Sequence, residues 1–138
     1  MSELSNYLEE YVLNFSLKDS AKPPYLALYV TDPTDADVGT ECSWPDYERQ
    51  LLVFGAIQNG VATITNNASY ATVTGDTVIV THIGIHDAAE GGNLLYHTPL
   101  GSWDTDVYGV VVFNNGTRHL YDNDDVNIPI GGISVTIT

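Results

Sequence analysis

Apolar residues recur at helical spacing only near the start of the chain. Within residues 2–17 every third or fourth position is apolar, which predicts one amphipathic helix. The residues on its apolar face are Leu4, Tyr7, Leu8, Tyr11, Val12 and Phe15. Ser2 is the predicted N-cap, and Pro23 and Pro24 forbid continuation. This helix either packs over an open end of a β-structure or serves as a docking arm for a partner.

After residue 24 the hydrophobic pattern changes to the period of two that is typical of β-strands. Strands are predicted at residues 25–30, 49–57, 61–64, 70–73, 78–85, from 94 onward, and at 107–113, 126–128 and 133–137. Asn59-Gly60 is a strong signal for a tight turn between two of them. In the closing strand, Ile133, Val135 and Ile137 are expected to face inward.

The most pronounced β-pattern runs from Val78 to Leu100. β-Branched residues fill its first half, and the small-residue connection AAEGG separates them from a return strand. Gly91 and Gly92 can take positive φ at little cost, so a hairpin is predicted. Its first strand directs alternate side chains to opposite faces. One face carries Thr81, Ile83 and Ile85, and the other carries His82, Gly84 and His86.

Eight or nine short strands separated by Gly, Asn and Asp turns indicate an all-β fold. We expect an antiparallel β-sandwich or jelly-roll-like domain with one N-terminal amphipathic helix. The 138 residues contain neither a linker nor an internal repeat. They therefore predict a single domain over residues 1–138, with the helix at 2–17 and the sandwich at 25–138.

The chain is strongly acidic, with 18 Asp and Glu residues against four Lys and Arg, for a net charge of −14. Such a surface repels phosphates and anionic lipid, so neither nucleic acid nor membrane is an expected partner. It would suit docking on a basic protein surface. Arg49, one of only two arginines, is expected to meet a carboxylate.

Cys42 is the only cysteine, so it cannot form a disulfide within the chain, and we expect a small buried hydrophobe. The N-terminus lacks the pattern of a signal peptide, and no apolar run has the length of a membrane span. Synthesis in the cytosol, followed by life there or incorporation into an assembly built there, is therefore expected.

Two sets of side chains could in principle bind metal. His82, His86 and His97 lie in the hairpin, but residues four apart on a strand are about 13 Å apart. Aspartates cluster in two loops that lack the full calcium-loop pattern, so solvated turns are the simpler interpretation. These aspartates are Asp32, Asp35 and Asp37 in one loop and Asp122, Asp124 and Asp125 in the other. We expect no metal and no other cofactor.

No motif for catalysis is visible: there is no nucleophile elbow, phosphate loop or Ser/His/Asp set. The acidic residues do not single out a pair for glycoside hydrolysis by their spacing. The chain is therefore expected not to be an enzyme. Trp44 and Trp103, with nearby tyrosines, could stack on sugars or cover the edge of the core.

The hairpin sequence VTHIGIHDAAEGGNLLYHTPL resembles a family of small virion structural proteins of tailed bacteriophages, often labelled tail-fibre or decoration proteins. Further similar segments follow the same order along nearly the whole chain: LSNYLEEYVLN, PPYLALYVTDPT, CSWPDYERQ and IPIGGISVTIT. The chain departs from the family pattern at Trp44-Pro45-Asp46, where the family has a glycine-rich run. The resemblance implies a place in the virion and no catalytic residues.

Two virion roles remain open from the sequence. The first is a capsid decoration (cement) protein that binds the major capsid protein or other virion proteins, with a trimer as the expected homo-oligomer. Its predicted contact residues are Tyr7, Tyr11, Trp44 and Tyr47. The alternative is a tail-tip or fibre-associated module that binds host glycan through Trp44 and Trp103.

Overall fold

A computed structural model describes residues 4–100 and 118–137 of the chain. One helix, α1 (Asn6–Leu17), is followed by short strands. The strands are β1 (Tyr25–Tyr29), β2 (Gln50–Leu51), β3 (Val61–Thr63), β4 (Ala68–Ser69), β5 (Val78–Val80), β6 (His82–His86), β7 (Leu94–Pro99), β8 (Arg118–Leu120), β9 (Asn127–Ile128) and β10 (Ser134–Thr136). This arrangement confirms the all-β prediction with one N-terminal helix.

The largest sheet has four antiparallel strands in the order β2-β1-β6-β7. Strand β6 lies in its centre, with Leu28 opposite Ile83 on one side and His97 opposite Gly84 on the other. From Ile83 to His86 every residue of β6 is buried. The pair β6–β7 is the predicted hairpin, and Gly91 and Gly92 take φ values of 61° and 70° in its connection.

Three further antiparallel pairs form separate two-stranded sheets, namely β3 with β10, β4 with β9, and β5 with β8. Each joins the middle of the chain to its C-terminal part. The predicted Asn59-Gly60 turn precedes β3, and both residues have positive φ, 52° and 74°, as tight hairpin turns require. Ile133 and Val135 are buried as predicted, and Ile137 is half-buried.

One hydrophobic core includes residues from the helix through to the last strand. Leu13 and Leu17 enter it from α1, Leu26 from β1 and Val135 from β10. Cys42 is also buried there, as the sequence predicts. Among the described residues, no helix combines the length and the apolar character that crossing a bilayer would need.

Several predicted boundaries are wrong. The N-cap is Ser5 rather than Ser2, because the Ser5 side chain accepts a hydrogen bond from the Leu8 backbone N–H. The strand predicted at 49–57 shrinks to β2, since Val53 N–H bonds to the side chain of Asn66 instead of a ladder partner.

Two more strand predictions differ from the structure. In place of the strand predicted at 70–73, the structure has β4, which begins two residues earlier. The strand predicted at 78–85 is divided into β5 and β6 at Thr81, because the Thr81 backbone N–H bonds to Tyr29 O. The strand predicted at 107–113 lies outside the described residues.

Candidate interface on the N-terminal helix

One face of α1 is anchored to the β-structure. Leu13 and Leu17 are 0% and 1% exposed, and they form the buried stripe of the helix. The Ser16 hydroxyl is 2.7 Å from the hydroxyl of Tyr96, and Lys18 Nζ donates to Gly55 O at 3.0 Å. These contacts determine which side of the helix turns inward.

The opposite face of α1 carries three exposed aromatic rings, Tyr7, Tyr11 and Phe15, which we call the aromatic ladder. The rings are 77%, 55% and 68% exposed, respectively. Their spacing of four residues places them one above the other along the helix. The ring centroids are 6.5 Å and 6.3 Å apart, and the Tyr11 and Phe15 planes differ by only 7°.

The apolar face predicted for the helix is not its packed face. Most of that face points to solvent and only Val12 is half-buried, so packing over the β-structure, one of the two alternatives, is wrong for this face. Leu8, 39% exposed, extends the apolar surface beside the rings, and the exposed Glu10 flanks it on the other side. Contiguous exposed apolar surface of this kind usually marks an interaction site.

Tyr7 and Tyr11 therefore lie where a contact residue needs to be, whereas Trp44 and Tyr47 do not. Trp44 is only 5% exposed, and its Nε1 donates to Ala71 O at 3.1 Å. Its ring packs edge-on against Tyr47 at 4.9 Å and against Tyr70 at 6.3 Å. These three rings fill the core below the 41–49 loop.

The burial of Trp44 also bears on the glycan-binding alternative. A sugar stacks on an open aromatic face, and Trp44 has almost no exposed surface to offer. Trp103, the second residue of that prediction, lies outside the described residues.

A polar network holds the 41–49 loop against the hairpin. As predicted, Arg49 meets a carboxylate: its Nη2 is 3.0 Å from Glu41 Oε1. The Tyr47 hydroxyl donates to the same carboxylate at 2.7 Å. Arg49 Nη1 donates to Ala88 O at 3.0 Å and to Gly91 O at 2.9 Å, which ties the hairpin connection to the loop.

Electrostatics fit a structural role for this network. Burial opposes the charge of Arg49, but the hydrogen bonds and the charge of Glu41 outweigh it and raise the guanidinium pKa. Burial, the neighbouring Tyr70 and the bond to Glu41 raise the pKa of Tyr47 above its usual range. Burial and Glu41 raise the pKa of the Cys42 thiol to about 12, so the thiol stays protonated and unreactive.

The hairpin histidines contact the first acidic loop. His97 Nε2 is 2.8 Å from Asp35 Oδ1, and His82 Nε2 is 3.8 Å from Asp32 Oδ1. The sequence suggested the hairpin histidines and the loop aspartates as two separate sets of metal ligands, but in the structure they pair with each other. In the part of the chain that the structure describes, no three His, Cys, Asp or Glu side chains are placed to hold a metal ion.

The third histidine, His86, is 1% exposed and bonds through Nε2 to the Tyr29 hydroxyl, which donates to Asp37 Oδ1 at 3.3 Å. Burial, together with the charge of Arg49, lowers the His86 pKa. The ring is therefore neutral at pH 7.

Hydrogen bonds hold the second acidic loop, one within the loop and two to the segment 72–75. The carboxylates of Asp122, Asp124 and Asp125 accept from Gly75 N–H, Tyr121 N–H and the Thr72 hydroxyl. Carboxylates engaged in turn formation agree with the simpler interpretation of this cluster.

Comparison with known proteins identifies the family of this chain. No curated protein matches the chain. The sequence model of the family described as podophage GP4 fiber I protein gp80 matches residues 3–120. The chain belongs to this family. As a gp80-family member it is a structural protein of the phage virion, and it associates with other virion proteins.

Phe15 is the ladder residue that the sequence-based list of contact candidates lacks. The signal was present, because Tyr7, Tyr11 and Phe15 are spaced by four residues. The list took Tyr7 and Tyr11 from this face and omitted Phe15, although it continues their spacing.

Proposed function

We propose that this gp80-family protein is a non-enzymatic module of the phage fibre that attaches to other virion proteins through the aromatic ladder. The observation that carries the proposal is the row of three exposed, aligned rings on α1. A monomer that functioned alone would gain from burying them, since each aromatic ring represents 150–250 Å² of surface, at roughly 25 cal/mol per Å² of apolar area.

The arrangement of polar side chains supports a structural rather than a catalytic role. The most buried charged pair, Arg49 and Glu41, is engaged in holding a loop to the hairpin. The buried thiol of Cys42 is protonated, and the His86 ring contacts Tyr29 in the core. Each of these groups already has a role in packing.

The test is immunogold labelling of intact phage that carries an epitope tag at Gly75. This exposed turn has open space around it, since an added Cβ would meet no atom within 4 Å. We expect label on the fibres at the tail. Mass spectrometry of purified particles counts the copies independently. Label confined to the head would overturn the fibre proposal, as would particles that contain no copies.

Capsid decoration is the second candidate, and one observation favours it. Within residues 4–100 and 118–137 the only helix has 12 residues and every strand is short, whereas a fibre shaft is extended. A compact acidic domain would suit many copies on a basic shell, bound to the major capsid protein. For this role we expect label spread over the head. The predicted trimer would then be looked for on the capsid surface.

A further inference from the structure

We propose that the aromatic ladder inserts into an apolar groove on a different virion protein, and that Lys or Arg residues line the rim of this groove. This inference rests on the proposed attachment through α1 and adds the chemistry of the partner. It combines three observations: the alignment of the rings, the acidic flank of the helix, and the scarcity of basic side chains in this chain.

The rings define the apolar part of the partner site. From Tyr7 to Phe15 the helix rises about 12 Å, at 1.5 Å per residue. Anchors at positions i, i+3, i+4 and i+7 on one face are the pattern by which an amphipathic helix enters a hydrophobic groove, and Leu8, Tyr11 and Phe15 take the positions i, i+3 and i+7. Leu8, next to the rings, widens the apolar contact.

The charges define the rim. Glu10 is exposed beside the ladder, and the whole chain carries a net charge of −14. A partner with cations around the groove gains favourable electrostatic steering and contact pairs. A second copy of this chain would instead bring another surface of −14 towards the helix, which is unfavourable.

The chain itself is poorly supplied with such cations. It has four Lys and Arg residues in total. Lys18 donates to Gly55 O, and Arg49 is bound to Glu41 and the hairpin connection. With 18 acidic residues against these four cations, this chain is a poor source of a basic rim, so the rim is assigned to another protein.

The experiment places a photo-crosslinking amino acid at Tyr11 in infectious phage and identifies the linked peptides by mass spectrometry. Tyr121 is the matched control, because its side chain is 54% exposed against 55% for Tyr11. We expect position 11, and not position 121, to link to one other virion protein, at an apolar peptide with Lys or Arg nearby. Linkage to a second copy, linkage to an acidic surface, or equal linkage from both positions would overturn the proposal.

A charge reversal tests the rim separately from the groove. Glu10→Lys should lower the number of copies per particle about tenfold at low salt, and Glu10→Gln should have a smaller effect. Tyr11→Ser should lower the number of copies per particle at any salt concentration, because it removes an apolar contact. Unchanged copy numbers in Glu10→Lys particles would overturn the basic rim. Immunogold labelling of the wild-type protein tests the fibre assignment independently, so the two failures are distinguishable.

Discussion

At the scale of single residues, Gly84 allows an aromatic ring to reach across the central sheet. A Cβ at this position would lie 2.8 Å from Leu94 Cδ1 and 2.9 Å from Tyr29 Cε2, both closer than real Cβ contacts. Because Gly84 has no side chain, the Tyr29 ring lies beside β6 and its hydroxyl meets His86. Position 84 therefore requires glycine, because a side chain there would clash with Leu94 and Tyr29.

Gly84→Ala should destabilise the protein by about 1–3 kcal/mol, since the Tyr29 ring is held by a hydrogen bond and cannot move aside freely. Urea unfolding measures the change in free energy. In a Leu94→Ala background one of the two clashes is gone, so the same substitution should cost less there. An equal cost in both backgrounds would contradict the steric explanation.

His86 predicts how stability depends on pH. Because burial lowers its pKa in the folded state, the unfolded chain binds a proton more readily. The stabilising effect of the neutral ring is present above the unfolded pKa of about 6.5 and is lost as the pH falls through the lower folded pKa. Urea unfolding between pH 7.5 and 5 should show this decline.

The control for this decline is His86→Gln, which removes the titrating group. We expect stability to change less with pH in this variant than in the wild type. The contacts of His82 and His97 with aspartates are retained in both proteins, so the two proteins differ in His86 alone. Parallel pH profiles would contradict the role of His86.

At the scale of elements, the two faces of α1 should respond differently to truncation. Leu13→Ala creates a cavity in the core and should cost about 2–4 kcal/mol. Tyr11→Ala removes an exposed ring and should cost less than about 1 kcal/mol. Thermal unfolding of the two variants measures the difference. A larger loss for Tyr11→Ala would show that the predicted apolar face is the packed face after all.

Local chemistry made the hairpin predictable and left the helix orientation open. The alternating β-branched residues Ile83 and Ile85, together with Gly91-Gly92, specify β6, its turn and its pairing with β7 without reference to the rest of the chain. The orientation of α1 instead depends on Tyr96 and Gly55, which lie far away in the sequence. The pattern within the helix therefore could not decide between packing and docking of its aromatic face.

The same distinction applies to the candidate sites. Tyr7 and Tyr11 were predictable from the pattern of the helix, whether it packed or docked. The burial of Trp44 was not, because it depends on Tyr47, Tyr70 and the Ala71 carbonyl meeting around its ring. The pairing of His82 and His97 with Asp32 and Asp35 was likewise not predictable, because it depends on the conformation of a loop whose sequence has no periodic pattern.

At the scale of the whole molecule, the net charge of −14 opposes compaction. Raising NaCl from 10 mM to 200 mM shortens the Debye length from roughly 30 Å to less than 10 Å and should therefore raise the Tm. Choline chloride at equal ionic strength is the control, since it screens charge without offering a metal cation. A Tm that rises only with NaCl would indicate specific cation binding instead.

The contacts of Arg49 have a consequence for the order of folding. They join residues 39 and 42 positions apart, whereas β6 and β7 can close their turn locally. Long loops cost more entropy to close, so the hairpin should form first and the Arg49 contacts late. Loss of this side chain should then accelerate unfolding and leave the refolding rate nearly unchanged. Arg49 would thus govern how long a free copy survives before it is built into a particle.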